Sequence, residues 1–146
     1  KVKPYLNSEP FFANYADGLS DINLRTYLDQ FDVKKVGSLL AVSPSIQFHT
    51  VNFDEQDLVT DIGVPRILKD FRINAGFFIF TEKIFDYIKE GEELVEEPFS
   101  RLSQKGLLKA YRYDGFWKNI DNLKDKRYIE NLYLAGQSVW LGKGSI

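Results

Sequence analysis

Ile73-Asn74-Ala75-Gly76-Phe77-Phe78-Ile79-Phe80 is the most strand-like run in the chain. Its length and apolar, aromatic content read as a buried strand. Thr81 then opens a helix through about residue 89, with Ile84, Phe85 and Ile88 on its buried side. A second helix is expected over residues 97–104, stopped by Gly106. Residues 107–113 alternate as a strand, and residues 116–120 continue extended. Asn122 is the natural cap of a last helix with Leu123, Tyr128, Ile129, Leu132 and Tyr133 apolar. Toward the start, residues 11–15 read as a short strand followed by an Ala16-Asp17-Gly18 turn. Leu24, Tyr27, Leu28 and Phe31 mark a helix face that Asp21 is placed to cap. Residues 38–43 form a buried strand ended by Pro44. Ile46, Phe48 and Thr50, then residues 58–62, read as two strands around an acidic turn at 54–57, and residues 63–71 as a loop.

Strands alternating with helices predict an α/β fold with a mixed, mainly parallel sheet flanked by helices. The 146 residues suit one domain, with a flexible tail at 141–146. In such sheets ligands gather outside the carboxyl ends of strands, and Asp17 sits at one of them.

A net charge of −2 argues against non-specific nucleic-acid binding, which requires a basic stripe. The chain has no cysteine, hence no disulfide framework and no thiolate metal site. No apolar run approaches the roughly 20 residues that span a bilayer, and no signal peptide is visible. The expectation is a cytoplasmic protein without membrane partners. The 12 Phe, 8 Tyr and 2 Trp serve equally as core or as stacking surface for sugars and bases. The start at Lys1 and the lack of methionine raise the expectation of a processed, truncated or engineered product. Gly142-Lys143-Gly144-Ser145 lacks the spacing of a phosphate-binding loop.

The chemistry concentrates in two distant stretches. Asn14-Tyr15-Ala16-Asp17-Gly18-Leu19-Ser20-Asp21 and Asp114-Gly115-Phe116-Trp117-Lys118-Asn119-Ile120-Asp121 each set an acidic residue after an apolar run. Brought together, Asp17 and Asp121 make a two-carboxylate seat for one divalent cation. Mg²⁺ suits it, because that ion takes one or two carboxylates and fills its shell with water and substrate phosphates. Bland readings stand beside this one. Asp17-Gly18 is also ordinary turn chemistry, and Asp121 also helps cap the last helix. Tyr15 and Trp117 divide between core and site wall. Asn74, in a buried strand, needs partners, through either a structural hydrogen bond or a sugar contact. His49 reads as structural, and Glu90, Glu92, Glu93, Glu96 and Glu97 as a solvated face.

Four pieces in register resemble the sugar-phosphate nucleotidyltransferases, nearest the glucose-1-phosphate cytidylyltransferase branch. They are residues 15–22 (Tyr-Ala-Asp-Gly-Leu-Ser-Asp-Ile), residues 73–78 (Ile-Asn-Ala-Gly-Phe-Phe), Glu97-Pro98, and Asp114-Gly115-Phe116-Trp117 running on to Lys126. The resemblance spans about residues 2–140 and implies the later part of a nucleotide-diphospho-sugar transferase fold. It implies a reaction in which a sugar 1-phosphate oxygen attacks the α-phosphorus of a nucleoside triphosphate and pyrophosphate leaves. By the same resemblance Asp17 and Asp121 hold Mg²⁺, and Tyr15, Asn74 and Gly76 contact the sugar phosphate. Trp117 is expected at the substrate, and no residue is assigned as catalytic. The family's Gly-rich loop has no counterpart after Lys1. Its phosphate-gripping lysine is missing from Asp61-Ile62-Gly63-Val64-Pro65-Arg66, where Arg66, Lys69 or Arg72 is the substitute. Ala16 and Ala75 replace family glycines. The expectation is a chain inactive by itself. Its alternatives are a non-catalytic relative that binds a sugar phosphate or a protein, and a truncated product. A missing strand set would expose a sheet edge, so a homo-oligomer is expected.

Overall fold

The computed structural model describes residues 2–44, 49–63 and 71–142. The run quoted above forms β6 (Ile73–Phe80) inside a four-stranded sheet. The order is β1 (Phe11–Asn14), β6, β3 (Gly37–Val42), β7 (Leu108–Tyr113). β6 runs antiparallel to both neighbours, and β3 pairs parallel with β7. Thus β1, β3 and β7 point the same way and β6 alone is reversed.

The α/β class and the mixed sheet stand. The expectation of a mainly parallel sheet needs correction: three strands share a direction, yet the reversed strand between β1 and β3 leaves one parallel pair among three. Periodicity reports burial, not strand direction. The described part of the β3-to-β6 connection holds a hairpin, β4 (Thr50–Phe53) and β5 (Val59–Gly63), not the crossover helix of a parallel pair.

Phe78 and Phe80 point to one side of β6 and stack at 5.5 Å between ring centroids. α2 (Glu97–Gln104) covers that face, laying Phe99 edge-on to Phe78 at 5.5 Å and burying Leu102 completely. Val36 and Ile84 complete the cluster. Gly37 is a glycine for lack of room, since a Cβ there would lie 2.8 Å from a ring carbon of Phe80. Elsewhere on the sheet Tyr27, from α1 (Leu24–Asp29), is 1% exposed and packs on Tyr111 at 4.7 Å. Its hydroxyl donates to Ser38 Oγ at 3.3 Å, and burial pushes its pKa up to about 12.

Several local expectations shift. α1 is capped by Asn23, whose Oδ1 accepts from Thr26 N at 2.9 Å, and not by Asp21, whose carboxylate is engaged elsewhere. The helix expected from Thr81 closes as a 3₁₀ turn, Glu82–Asp86, with Ile84 buried. Arg101 donates to the Tyr87 carbonyl and to Glu92, and so occupies an acceptor that a longer helix would use for its own ladder. Glu92 is therefore half-buried rather than part of a solvated face, and Arg101 holds its carboxyl down at about 2. The last helix, α3 (Leu123–Leu134), starts at Asn122, whose Oδ1 accepts from Lys124 N and Asp125 N. In the expected tail, Leu141 closes a 3₁₀ turn (Val139–Leu141), and residues 143–146 lie outside the described residues. So do Ile46 and Phe48, and most of the loop at 63–71.

The β4–β5 ribbon pairs Val51 with Ile62 and Phe53 with Val59, so these four share one face. All four are about half exposed or more. No helix among the described residues is long and apolar enough to cross a membrane.

Leu102→Ala is expected to cost about 2–5 kcal/mol in a denaturant titration. Leu134→Ala, at a position 81% exposed, should stay within about 0.5 kcal/mol of wild type.

Candidate functional site

The carboxyl ends of β1, β3 and β7 meet the start of β6 at one sheet edge. There β6 departs from regular pairing. Leu39 faces Phe78, but Ala41 faces Asn74, so Leu40 stands opposite Ala75, Gly76 and Phe77 together. This is an enlarged bulge. It depends on Gly76, whose φ of 74° lies in the left-handed region that glycine adopts freely.

At Ala75 and Gly76, each described backbone partner comes from an expected site residue. Asn74 Oδ1 accepts from Gly76 N at 3.0 Å. Gly76 O accepts from Tyr15 N at 2.8 Å, and Ala75 O from Trp117 Nε1 at 2.9 Å. Tyr15 lies over the glycine, so a Cβ on Gly76 would sit 2.7 Å from its Cδ2. The other side of the Tyr15 ring region meets Phe78 edge-on at 5.5 Å. Tyr15, Asn74, Gly76 and Trp117 therefore gather around one backbone irregularity. Asn74 is exposed, not buried as the strand pattern suggested, and its side chain has a local structural partner. Burial raises the Tyr15 pKa first, with Glu93 and Asp17 adding to it, so the phenol stays protonated and able to donate.

Beside the bulge lies a ribbon of β2 (Gly18–Ser20) and β8 (Trp117–Asn119), paired antiparallel. Asp17 leads into it and Asp121 leads out. Their backbones are neighbours, since Asp17 O accepts from Ile120 N at 2.9 Å. Both carboxylates are exposed. Asn119 Nδ2 donates to Asp121 Oδ2, and Asp121 N donates to Asp125 Oδ2 at 3.4 Å. Lys118 pairs with Asp125 at 2.5 Å and holds that carboxyl below the usual range. No group of three His, Cys, Asp or Glu suited to a metal occurs among the described residues. An ion at this ribbon would thus draw most of its shell from water and substrate, which is the habit of Mg²⁺.

Of the three candidate phosphate cations, Arg66 and Lys69 lie outside the described residues. Arg72 is committed at the sheet edge: its Nη1 donates to Tyr113 O at 2.9 Å and pairs with Asp114 at 2.7 Å. His49 is exposed. A cavity of about 350 Å³ borders the ribbon, walled by Phe116, Trp117, Tyr128, Lys118, Lys124 and Asp125. The Lys118–Asp125 pair and the engaged side chain of Asp21 had no sequence reading as site elements. Asp21 reaches across 92 residues to Tyr113, beyond any local pattern, and the Lys118–Asp125 pair links β8 to α3 across the turn between them.

Gly76→Ala and Gly91→Ala impose the same kind of strain, since Gly91 also has a positive φ of 83°. Only the former meets Tyr15; nothing lies within 4 Å of a Cβ at Gly91. Gly76→Ala is expected to lose about 1–3 kcal/mol, more than Gly91→Ala, by chemical denaturation.

No family model matches the chain. The protein named probable glucose-1-phosphate cytidylyltransferase in Bacillus subtilis (strain 168) is 32% identical over 143 residues, 96% of this chain and 56% of that relative. The glucose-1-phosphate cytidylyltransferase of Salmonella typhi is 29% identical over 96% of this chain and 55% of its own length. Among solved structures, a Bacillus anthracis protein assigned as a glucose-1-phosphate thymidylyltransferase matches with a TM-score of 0.63 at 16% identity, over 94% of this chain and 58% of that one. The chain spans about half the length of the curated relatives it matches. It is related in sequence to the glucose-1-phosphate cytidylyltransferases and shares part of the fold of the sugar-phosphate nucleotidyltransferases.

Proposed function

We propose that the chain is the sugar-phosphate side of a nucleotidyltransferase that makes a nucleotide-activated sugar, CDP-glucose-like, from a sugar 1-phosphate and a nucleoside triphosphate. The observation that carries this reading is the bulge in β6. It sets Tyr15, Asn74 and Gly76 at the sheet edge, with Trp117 tied to it and the Asp17–Asp121 ribbon alongside. Relatives named for glucose 1-phosphate and for mannose 1-phosphate share a sugar 1-phosphate and differ in the base. The half of that chemistry that these names share is the half assigned here.

Tyr15, with its phenol protonated, and the Asn74 amide offer hydrogen bonds to sugar hydroxyls or phosphate oxygens. Trp117 presents a half-buried indole as a wall against which a sugar face packs. Asp17 and Asp121 are the carboxylates that would hold Mg²⁺. When bound, that ion supplies charge neutralisation at phosphate oxygens. The chain's own contribution is positioning, which is the larger part of catalysis in phosphoryl and nucleotidyl transfer. Self-association, expected for the non-catalytic and truncated alternatives, is supported by the exposed apolar face of the β4–β5 ribbon, since a two-stranded ribbon is marginal unless packed.

Titration with glucose 1-phosphate and Mg²⁺, followed by nuclear magnetic resonance, should move the signals of Tyr15, Gly76 and Trp117. The Asp17→Asn/Asp121→Asn double variant should lose the Mg²⁺ dependence of that response. Silence at all three residues would sink the reading. With a nucleoside triphosphate added, no pyrophosphate is expected from this chain alone. Light scattering on purified chain is expected to show an oligomer that Phe53→Glu with Ile62→Lys converts to monomer.

A further inference from the structure

Asp21 was the expected helix cap, and the structure uses it otherwise. Its Oδ1 accepts from the Tyr113 hydroxyl at 2.5 Å and from Phe116 N at 2.7 Å, while its own N–H donates to Phe116 O at 3.2 Å. Ser20 Oγ adds a donor to Phe116 O at 2.8 Å and accepts from Ile22 N at 3.2 Å. Space for this knot comes from Gly115. A Cβ there would fall 2.3 Å from the Tyr113 hydroxyl oxygen and 2.8 Å from Asp21 Oδ1. On the far side of Tyr113, Arg72 holds its carbonyl. One carboxylate thereby joins β7, the β7–β8 turn and the end of β2.

The β2–β8 ribbon has three residue pairs. So short a pairing has little stability of its own, and its placement depends on what fastens its ends. The knot fastens one end. The other end carries Asp17 and Asp121 and is closed by the Ile120 N–H on Asp17 O. We propose that Asp21 is a positioning residue: by accepting from Tyr113 and Phe116 it fixes the ribbon against the sheet edge, and so places the two carboxylates at its far end. The proposal rests on the functional reading above only for the purpose of the placement, not for the coupling itself. Charge-assisted hydrogen bonds of this length contribute more than neutral ones. Asparagine keeps an acceptor oxygen for the same two donors, whereas alanine keeps none.

The coupling is measured by amide hydrogen exchange on the full chain. Asp21→Ala should speed exchange at Ile120 by about tenfold while β6 amides at Phe78 and Phe80 keep wild-type rates. Tyr113→Phe should produce a smaller change in the same direction, and Asp21→Asn should restore most of the protection. Unchanged exchange at Ile120 overturns the proposal. So does a uniform rise across β3 and β6, which would make Asp21 a general stabiliser. In parallel, affinity for glucose 1-phosphate with Mg²⁺ should fall about tenfold in Asp21→Ala and recover in Asp21→Asn; unchanged affinity also overturns it. If the wild-type chain does not bind that ligand, the functional reading fails, and the exchange at Ile120 still decides the role of Asp21.

Discussion

A buried backbone group must find a hydrogen-bond partner, and in this chain that rule organises the site. The bulge includes Ala75 and Gly76, whose carbonyls still need partners. They are satisfied by the Tyr15 backbone and the Trp117 indole, which come from the two stretches most distant in sequence. Gly76 makes the turn possible, and Tyr15 occupies the space that its missing side chain leaves. The same irregularity that interrupts the sheet thus fastens its edge to the ribbon.

Strand direction supplies the rest of the placement. Because β1, β3 and β7 share a direction, the segments leaving all three emerge at one edge. Tyr15 and Asp17 follow β1, and Asp114 to Trp117 follow β7. β6 enters at that edge, bringing Arg72 and Asn74 with it. Behind it, Phe78, Phe80, Phe99 and Leu102 form a packed aromatic and aliphatic block. A rigid block behind a polar edge is how a scaffold holds side chains in place while leaving them open to solvent.

Charges at the edge are largely arranged in pairs. Arg72 meets Asp114 and Lys118 meets Asp125. Such pairs on partly exposed groups add little to stability. Their consequence is positional: one ties the residue after β7 to the residue before β6, and the other ties β8 to α3. Asp17 and Asp121 stand apart from these ion pairs in character, since both carboxylates face solvent and Asp121 is oriented by the neutral amide of Asn119.

Local patterns in the sequence determined much of this protein. The apolar run 73–80, the Asn122 cap, the amphipathic stretch ended by Gly106 and the two Asp-bearing segments were all legible, because each depends on neighbours a few residues away. The resemblance carried by four short pieces singled out Tyr15, Asn74, Gly76 and Trp117 as candidates, and these are residues that the bulge gathers. Tertiary structure alone decided the reversal of β6, the exposure of Asn74 and the turn at Tyr87 that Arg101 cuts short. It alone moved Asp21 from a helix cap to a tie between β2 and Tyr113. Periodicity records which side of an element is buried. It carries no information on strand direction or on the partner a polar side chain finds across a separation of 92 residues.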